Sequence, residues 1–532
     1  EDSVDESMAD SGHPNEPGSP GSSQVASSHI LWVSSRSRKK ALLRLQHGSR
    51  CNSGSSSSSS VRRKVGEVSI RPEILRGTSL SNALSKLGSL WRVSPCDMDP
   101  KHLLQIHALS QPCTYMDMFI SHVWVDSWKL RYFACLSRFY MKPAVVAGLV
   151  ALLACAALDI AGLLPVFDVP PTSFSPFRRQ VALWSPVPPI VGLITLFLGP
   201  EIRWKSDRKV FFDIVSINQT DLEVKSEGIG SFGGFLNNSE ELLVLWTPTY
   251  LTRMWCMFEL AVFTALKGQK AITWCPTFMQ ATYFYIFMGA WLAYTIEAVR
   301  QCADSGTFTL HTIWLRIIFI FIPICRLTHY LRQMMNEKYL AMQSLKSFDI
   351  DCAQCREAAD REHIVQTIEH FYGSKSSFNE TVRRKIGQDM MSAVDTVQGA
   401  SLPRFVAFFP ACCHKIEALI SFGLRSEPRL EGGDLACYAL ALLVSSLALP
   451  ILYVSASFTI CTLFRKRCRS VVADAMLSVS LTFVWFVPIL LLDLISPMVA
   501  RRASEGIGFL VLTIAYIVCI PLCAGGLSRL AL

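Results

Sequence analysis

A single carboxylate stands in an otherwise uncharged stretch of this chain. Glu259 is the only acidic or basic residue between Met254 and Phe263, and its neighbours are apolar or aromatic. Burying an unpaired carboxylate is costly, so a cation, a hydrogen-bond donor or a ligand must compensate its charge. The protein groups expected to do so are Arg253 and His122. Such a carboxylate can take part in catalysis, serve a non-catalytic interaction or pair within the fold.

Strands alternating with helices are expected to position this carboxylate. Apolar, β-prone runs, each followed by a helical pattern, occupy residues 118–122, 209–215 and 241–246, and a short fourth run occupies residues 271–274. This alternation predicts a doubly wound parallel sheet of the flavodoxin-like α/β class. Ligands of such sheets bind beyond the carboxyl ends of the strands. Ser121 and His122 end the first run and would therefore border the same crevice as Glu259.

The order of these motifs resembles the TIR domain family. The motifs are Phe119-Ile-Ser-His122, Phe211-Phe-Asp213, Leu242-Leu-Val-Leu-Trp-Thr-Pro248 and Trp255-Cys-Met-Phe-Glu-Leu260. The resemblance covers residues 115–140 and 208–275, and it departs from the family where an apolar hairpin, 144–198, splits the domain. The chain also leaves for the membrane where a TIR domain would supply its last helices and fifth strand. The domain is therefore expected to be truncated, or completed by residues 328–433.

The resemblance also implies a chemistry for Glu259. In TIR domains that cleave NAD, a glutamate on the third helix lies near the nicotinamide ribose, and Glu259 matches that position. Cleavage of a glycosidic C–N bond develops positive charge at the ribose, which a carboxylate stabilises. The implied site has Glu259 as the catalytic residue, NAD as the substrate and no resident cofactor. The residues implied to bind the ligand are Ser121, His122, Asp213 and Trp255.

Other sites have weaker sequence support. Gly228, Gly230, Gly233 and Gly234 match neither phosphate-loop nor dinucleotide-binding spacing, and are interpreted as a flexible turn. The Cys352-x-x-Cys355 pair lacks a second ligand pair at zinc-finger spacing, so no metal site is predicted.

Composition points to a membrane protein. The chain is 51% hydrophobic and only 17% charged, with a mean hydropathy of +0.32. Seven stretches are long and apolar enough to cross a bilayer as helices. They run from Ala144 to Phe167, Val181 to Leu198, Thr277 to Ile296, Phe308 to Cys325, Leu435 to Leu463, Ala475 to Val499 and Ile507 to Leu527. The domain plan is a disordered Ser-rich and basic tail (1–95), transmembrane hairpins at 144–198 and 277–325, and C-terminal transmembrane helices at 435–527.

Basic flanks predict the orientation of these spans. The Lys and Arg residues cluster beside the first four stretches on the side that should be cytosolic. Residues 115–140, 208–275 and a helical subdomain at 328–433 are thus expected in the cytosol, with 168–180 and 297–307 outside. The charge pattern does not assign the C-terminus to one side of the membrane. If Leu435 to Leu463 crosses once, the basic run 465–469 lies on the side opposite to the cytosol.

Charged residues inside predicted spans are themselves candidates for a function. Asp159, Arg316 and Asp493 lie in the first, fourth and sixth spans. They are expected either to pair within a helix bundle or to line a permeation path.

Three functions follow from these observations. The leading hypothesis is a membrane-anchored signalling or scaffolding protein that acts through a TIR-like domain, with the lipid bilayer, like domains or a second copy as partners. The alternatives are an NAD glycohydrolase that uses Glu259, and a channel or transporter with a cytosolic regulatory domain. Nucleic acid is not an expected partner, because the basic residues cluster beside apolar stretches.

Overall fold

The computed structural model describes residues 70–171, 178–202, 208–303, 321–399, 401–427 and 457–484. Over these residues the chain is mostly helical, with a mixed six-stranded sheet and a small antiparallel three-stranded sheet. The strands are β1 (Arg76–Ser79), β2 (Gln111–Pro112), β3 (Met116–Ser121), β4 (Phe167–Val169), β5 (Arg178–Val181), β6 (Lys209–Phe211), β7 (Ser239–Trp246), β8 (Ile272–Pro276) and β9 (Ser426–Glu427).

The helices divide between the sheet domain and a bundle. The first half of the chain contains α1 (Leu80–Gly88), α2 (Pro100–His107), α3 (Trp128–Ile160), α4 (Val187–Ile202), α5 (Asp213–Ser216), α6 (Leu222–Gly230), α7 (Phe232–Asn237) and α8 (Met254–Lys267). The second half contains α9 (Thr277–Ala303), α10 (Ile322–Lys346), α11 (Ala358–Tyr372), α12 (Lys375–Thr381), α13 (Gly387–Gly399), α14 (Ser401–Arg425), α15 (457–463) and α16 (Val471–Val484).

The large sheet has the strand order β2-β1-β6-β3-β7-β8. Strands β6, β3, β7 and β8 are parallel, and β3 brings distant stretches together by pairing with β6 on one side and β7 on the other. Strands β1 and β2 add an antiparallel edge, so the prediction of a parallel sheet is wrong at that edge. These two strands are too short, at four and two residues, to give the apolar run by which a strand is read from sequence.

The edge strands also correct the predicted disordered tail. Residues 1–69 lie outside the described chain, but residues 70–95 are folded. Ile74, Leu75, Leu84 and Trp91 bury their side chains in the domain core. This part of the tail therefore holds enough apolar surface to offset the entropy of ordering it.

Two cores lie on opposite faces of the sheet. Side chains alternate between the faces, as the pleat requires, so Met118 and Ile120 face α3 while Phe119 faces α7 and α8. The core on the α8 face also receives Ile364 and Ile368 from α11. Residues 346–394 thus pack onto the sheet domain where the chain would otherwise leave it incomplete.

Helices α3, α4, α9 and α14 pack into a bundle beside the sheet domain. Two described helices are long and apolar enough to cross a membrane, Trp128–Ile160 and Phe405–Arg425, and α4 and α16 are apolar but shorter. The first three predicted spans fall largely in α3, α4 and α9. The other four lie wholly or partly outside the described residues. Helix α14 lies in the segment 328–433, for which no membrane helix was predicted.

Candidate functional site

Glu259 lies beside the carboxyl end of β3. It is placed on α8, and the residue is 9% exposed. The Ser121 hydroxyl donates to Glu259 Oε2 at 2.5 Å, and the hydroxyls of Ser121 and Tyr250 are 2.7 Å apart. Because Ser121 uses its one hydroxyl hydrogen in the bond to Glu259, Tyr250 must be the donor of the bond between the two hydroxyls. The three side chains form one buried chain of hydrogen bonds.

The group that contacts the Glu259 carboxyl differs from the two groups predicted from the sequence, Arg253 and His122. The Arg253 guanidinium instead donates to the side chain of Gln354 at 3.4 Å. The His122 carbonyl lies 3.8 Å from Cys256 Sγ. The imidazole ring of His122 packs among Trp91, Trp124 and Phe212. A neutral hydroxyl, that of Ser121, rather than a cation therefore contacts the carboxyl group, and Tyr250 in turn contacts Ser121.

Burial governs the charge of Glu259. It raises the pKa of the carboxyl group to about 8, with a smaller contribution in the same direction from the Asp213 carboxylate and an opposing one from the Ser121 hydrogen bond. At neutral pH the group is mostly protonated. The site therefore holds a neutral carboxylic acid that becomes an anion only in mildly alkaline solution or after solvent enters.

A second polar cluster lies at the neighbouring strand end, after β6. The Trp124 indole donates to Asp213 Oδ2 at 2.7 Å, and the amide of Ile214 donates to Oδ1 at 2.8 Å. The guanidinium of the buried Arg131 lies 5.1 Å from the Trp124 ring centre. Burial raises the pKa of Asp213.

His122 belongs to this second cluster. Its ring centre is 4.8 Å from that of Trp124, and its Nε2 is buried without a hydrogen-bond partner. Burial and the positive charge of Arg131 together hold the pKa of His122 well below its usual value. The imidazole is consequently neutral at physiological pH.

The predicted ligand-binding residues are thus divided among three places. Ser121 touches Glu259, whereas Asp213 and His122 share the neighbouring cluster. Trp255 lies on another side of α8, where its indole donates to Asp360 on α11 at 3.3 Å. Ser121 is fully buried in the described structure, so the crevice between β3 and β7 is closed.

Three residues of these clusters escaped the sequence analysis. Tyr250 follows the turn at the end of β7, and Trp124 follows β3, so their position just beyond strand ends was the available signal. Arg131 was interpreted only as a basic flank of the first membrane span. Its burial beside Trp124 depends on long-range packing that spacing does not reveal.

The segment after α10 is hydrogen-bonded to the turn that contains Tyr250. The amide of Met254 donates to the Gln354 carbonyl at 3.0 Å, and the amide of Gln354 donates to the Thr252 carbonyl at 2.7 Å. Leu331 and Met335 of α10 share a core with the same turn. The Glu259 site is therefore closed by residues that follow the predicted second membrane hairpin.

A separate polar site lies in the bundle, at the C-terminal end of α3. Asp159, at the end of α3, is buried and its Oδ1 lies 2.5 Å from the Arg425 guanidinium. The Trp184 indole donates to Asp159 Oδ2 at 2.7 Å. The expected pairing of Asp159 within a bundle is observed, but with Arg425; Arg316 and Asp493 lie outside the described residues.

Glu417 of α14 fixes the loop before α4. Its carboxylate accepts from the Trp184 amide at 2.5 Å, and from the Ser185 amide and hydroxyl at 3.2 and 2.7 Å. Just beyond α14, β9 pairs with β5 of the loop that was predicted to lie outside. The C-terminal end of α14 and the 167–181 hairpin therefore form one unit.

The basic run after α15 contacts α10. Arg332 is buried, lies 2.9 Å from Asp474 Oδ1, and donates to the carbonyls of Phe464 and Lys466 at 2.8 and 3.1 Å. The predicted cytosolic flank of the fourth span thus contacts residues 464–474, which comprise the loop after α15 and the first turn of α16.

No metal site accompanies these clusters among the described residues, where no group of three or more His, Cys, Asp or Glu side chains is placed to hold an ion. Comparison of the chain with protein-family models, with curated proteins and with solved structures finds no match.

Proposed function

We propose that this chain is a multipass membrane protein whose cytosolic TIR-like domain acts by association, as a signalling or scaffolding module. One observation carries the proposal: the parallel strands β6-β3-β7-β8 follow the first four positions of the flavodoxin-like order, 2-1-3-4-5, with a pair of apolar helices inserted between the first two strands in sequence. The motif order that resembles TIR domains falls on those strands and on α8. Residues 346–394 take the place of the missing last helices.

The proposed topology adds α14 to the predicted spans. Its C-terminal end pairs with the hairpin predicted outside, so α14 leaves the cytosol between residues 401 and 425. The stretch 435–463 then returns, which places the basic run 465–469 in the cytosol beside Arg332. This arrangement removes the conflict that the charge pattern posed for a chain without α14 as a span.

Labelling of introduced cysteines tests that topology. In sealed vesicles of known orientation, Lys466→Cys should react with an impermeant maleimide only from the cytosolic side, and Glu427→Cys only from the other side. The sequons at Asn218 and Asn379 should carry no glycan. Reaction of both cysteines from one side, or a glycan at either sequon, contradicts the proposal.

The closed state of the Glu259 site supports association over catalysis. Ser121 and Tyr250 are fully buried, and the raised pKa leaves Glu259 mostly neutral. An apolar side chain is instead displayed at the same edge of the sheet, where Val125, in the loop after β3, is 80% exposed. Val125 is therefore the position at which an introduced charge tests whether this edge is an interaction surface.

Self-association of the full-length protein in detergent tests this role. Light scattering during size-exclusion chromatography should show a concentration-dependent dimer that Val125→Arg weakens by about tenfold, the loss expected for a charge at the centre of an interface. Leu104→Arg on α2 is the matched control, because Leu104 is 53% exposed in the same domain. A strictly monomeric protein, or equal loss in both variants, contradicts the proposal.

The second candidate function is cleavage of NAD by Glu259. It is favoured by the position of the carboxyl group at the switch point between β3 and β7, in contact with Ser121. Nicotinamide release should then require Glu259 and disappear in Glu259→Gln, while Glu223→Gln, at an exposed position of α6, keeps full activity. Equal background rates in the wild type and Glu259→Gln exclude this function.

A further inference from the structure

An apolar cavity lies among the four bundle helices α3, α4, α9 and α14. Each helix contributes to its wall: Val145 from α3, Leu193 from α4, Phe284 and Phe287 from α9, and Phe409 from α14. The volume of the cavity is about 70 Å³. A single water needs about 10–15 Å³ on the same measure, so the space accepts part of a hydrocarbon chain.

The cavity is not the result of loose helix packing. A Cβ added to Gly192 would lie 3.2 Å from the Ala144 carbonyl oxygen, and one added to Gly148 would lie 3.0 Å from the Phe409 ring. The helices therefore make close contact at glycines within and beside the cavity wall. They separate only where the larger side chains surround the open volume.

The chemistry of the wall selects a hydrocarbon. Gln280 and Tyr283 are the lining residues with polar side-chain atoms, and Gln280 Oε1 already accepts a hydrogen bond from the Ser137 hydroxyl at 3.3 Å. The outer faces of the same helices expose Val146, Ile194 and Leu198. In the proposed topology those faces contact lipid, so acyl chains are the hydrocarbon present at the mouth of the cavity.

Positive charge marks the cytosolic end of this site. Arg138 and Lys142 are exposed on α3 four residues apart, and therefore lie on one face of the helix. Lys142 directly follows Met141, a lining residue. Each Lys or Arg near a membrane surface contributes about 1 kcal/mol to the binding of anionic lipid.

We propose that the bundle binds an anionic phospholipid of the cytosolic leaflet, with one acyl chain in the cavity and the phosphate beside Lys142. The inference rests on the bundle lying in the bilayer, as in the proposed topology. It does not depend on a TIR-like activity of the sheet domain. The bound lipid would hold α14 against α3 and α4.

A matched pair of tryptophan substitutions tests the site. The full-length protein is purified in detergent after reconstitution with phosphatidylglycerol or phosphatidylcholine, and the retained lipid is measured by native mass spectrometry. Leu193→Trp fills the cavity and should lower retained phosphatidylglycerol by about tenfold or more. Ile194→Trp is the control, because Ile194 is the adjacent residue on the outer face and is 52% exposed. Lys142→Gln should lower the preference for the anionic lipid by about fivefold.

Photolabelling of the wild type gives a measurement that does not depend on a variant folding. Phosphatidylglycerol with a diazirine in its acyl chain should label the lining residues Val145, Leu193, Phe284 and Phe287. Labels confined to the outer residues 146, 150 and 194, equal retention by Leu193→Trp and Ile194→Trp, or equal retention of both lipids would each overturn the proposal. The cysteine-labelling experiment reports the topology separately, so failure of the lipid site and failure of the topology are distinguishable.

Discussion

Two buried carboxyl groups are stabilised in opposite ways in this molecule. At the sheet edge, Glu259 accepts a hydrogen bond from the neutral Ser121 hydroxyl, which is itself bonded to Tyr250. At the end of the bundle, Asp159 is paired with the Arg425 guanidinium and the Trp184 indole. The first arrangement keeps a carboxylic acid neutral, and the second holds a charge in place. The sheet domain therefore contains a buried group that can still gain or lose a proton, whereas the bundle uses buried charges to hold its helices together.

The largest effect is expected from breaking the bundle pair. Arg425→Ala leaves Asp159 buried without a cation, which should cost about 3–5 kcal/mol of unfolding free energy. Thermal unfolding in detergent, followed by tryptophan fluorescence, measures the loss. Arg178→Ala is the control, because Arg178 and Asp168 form an exposed pair at 3.5 Å, worth about 0–1 kcal/mol. Similar losses in the two variants would show that the buried pair has no special role.

Glu259 should make the stability of the protein depend on pH. Its pKa is about 8 in the fold, above the ordinary value of 4.5, so the folded state holds a proton that the unfolded state loses. Stability should therefore fall as the pH rises from about 4.5 to 8, by on the order of 3 kcal/mol between pH 5 and 8. Urea unfolding compares the wild type with Glu259→Gln, in which this component is absent. Parallel pH profiles for the two proteins would refute the neutral state of Glu259.

Removing the direct donor to Glu259 should have a smaller effect. Ser121→Ala leaves both Glu259 and Tyr250 without a buried partner, at a cost of about 1–3 kcal/mol. The loss should grow with rising pH, because the anion then lacks its donor. Ser137→Ala removes another buried hydroxyl, at a distance from Glu259, and its effect should be independent of pH. A pH-independent loss in Ser121→Ala would separate Ser121 from the titration of Glu259.

The smallest effect is expected at Trp255. Trp255→Phe removes one hydrogen bond, to Asp360, from a half-buried position, which should cost about 0.5–1.5 kcal/mol. The pH profile of stability should match that of the wild type, since Trp255 is not in the Glu259 network. A shifted profile would place Trp255 in functional contact with the crevice.

The sheet core and part of the site could be predicted from the sequence, for a simple physical reason. Parallel strands buried on both faces appear as continuous apolar runs, and the carboxyl ends of adjacent strands meet at one edge. That rule placed Ser121 near Glu259. It could not supply Tyr250 or the neutral character of the site, because these depend on how α10 and residues 350–354 cover the turn after β7.

Helix α14 shows why a helix that is long and apolar enough to cross a membrane was not found from the sequence. Its sequence contains His414, Lys415 and Glu417, which interrupt the apolar run that identifies a span. In the structure Glu417 is buried and accepts three hydrogen bonds from Trp184 and Ser185. A polar residue that a neighbouring segment satisfies in this way is tolerated inside a bundle, but that neighbour cannot be found from local hydropathy.

Helix α3 links the two regions mechanically. It is one helix of 33 residues, about 50 Å long, with residues 131–137 buried in the sheet domain and its second half in the bundle. Pro143 stands near its midpoint, where a helix bends most easily. A tilt of about 10° around that point would move each end by about 4 Å. A bend of this kind would displace Arg131 relative to Trp124, in the cluster next to the Glu259 site.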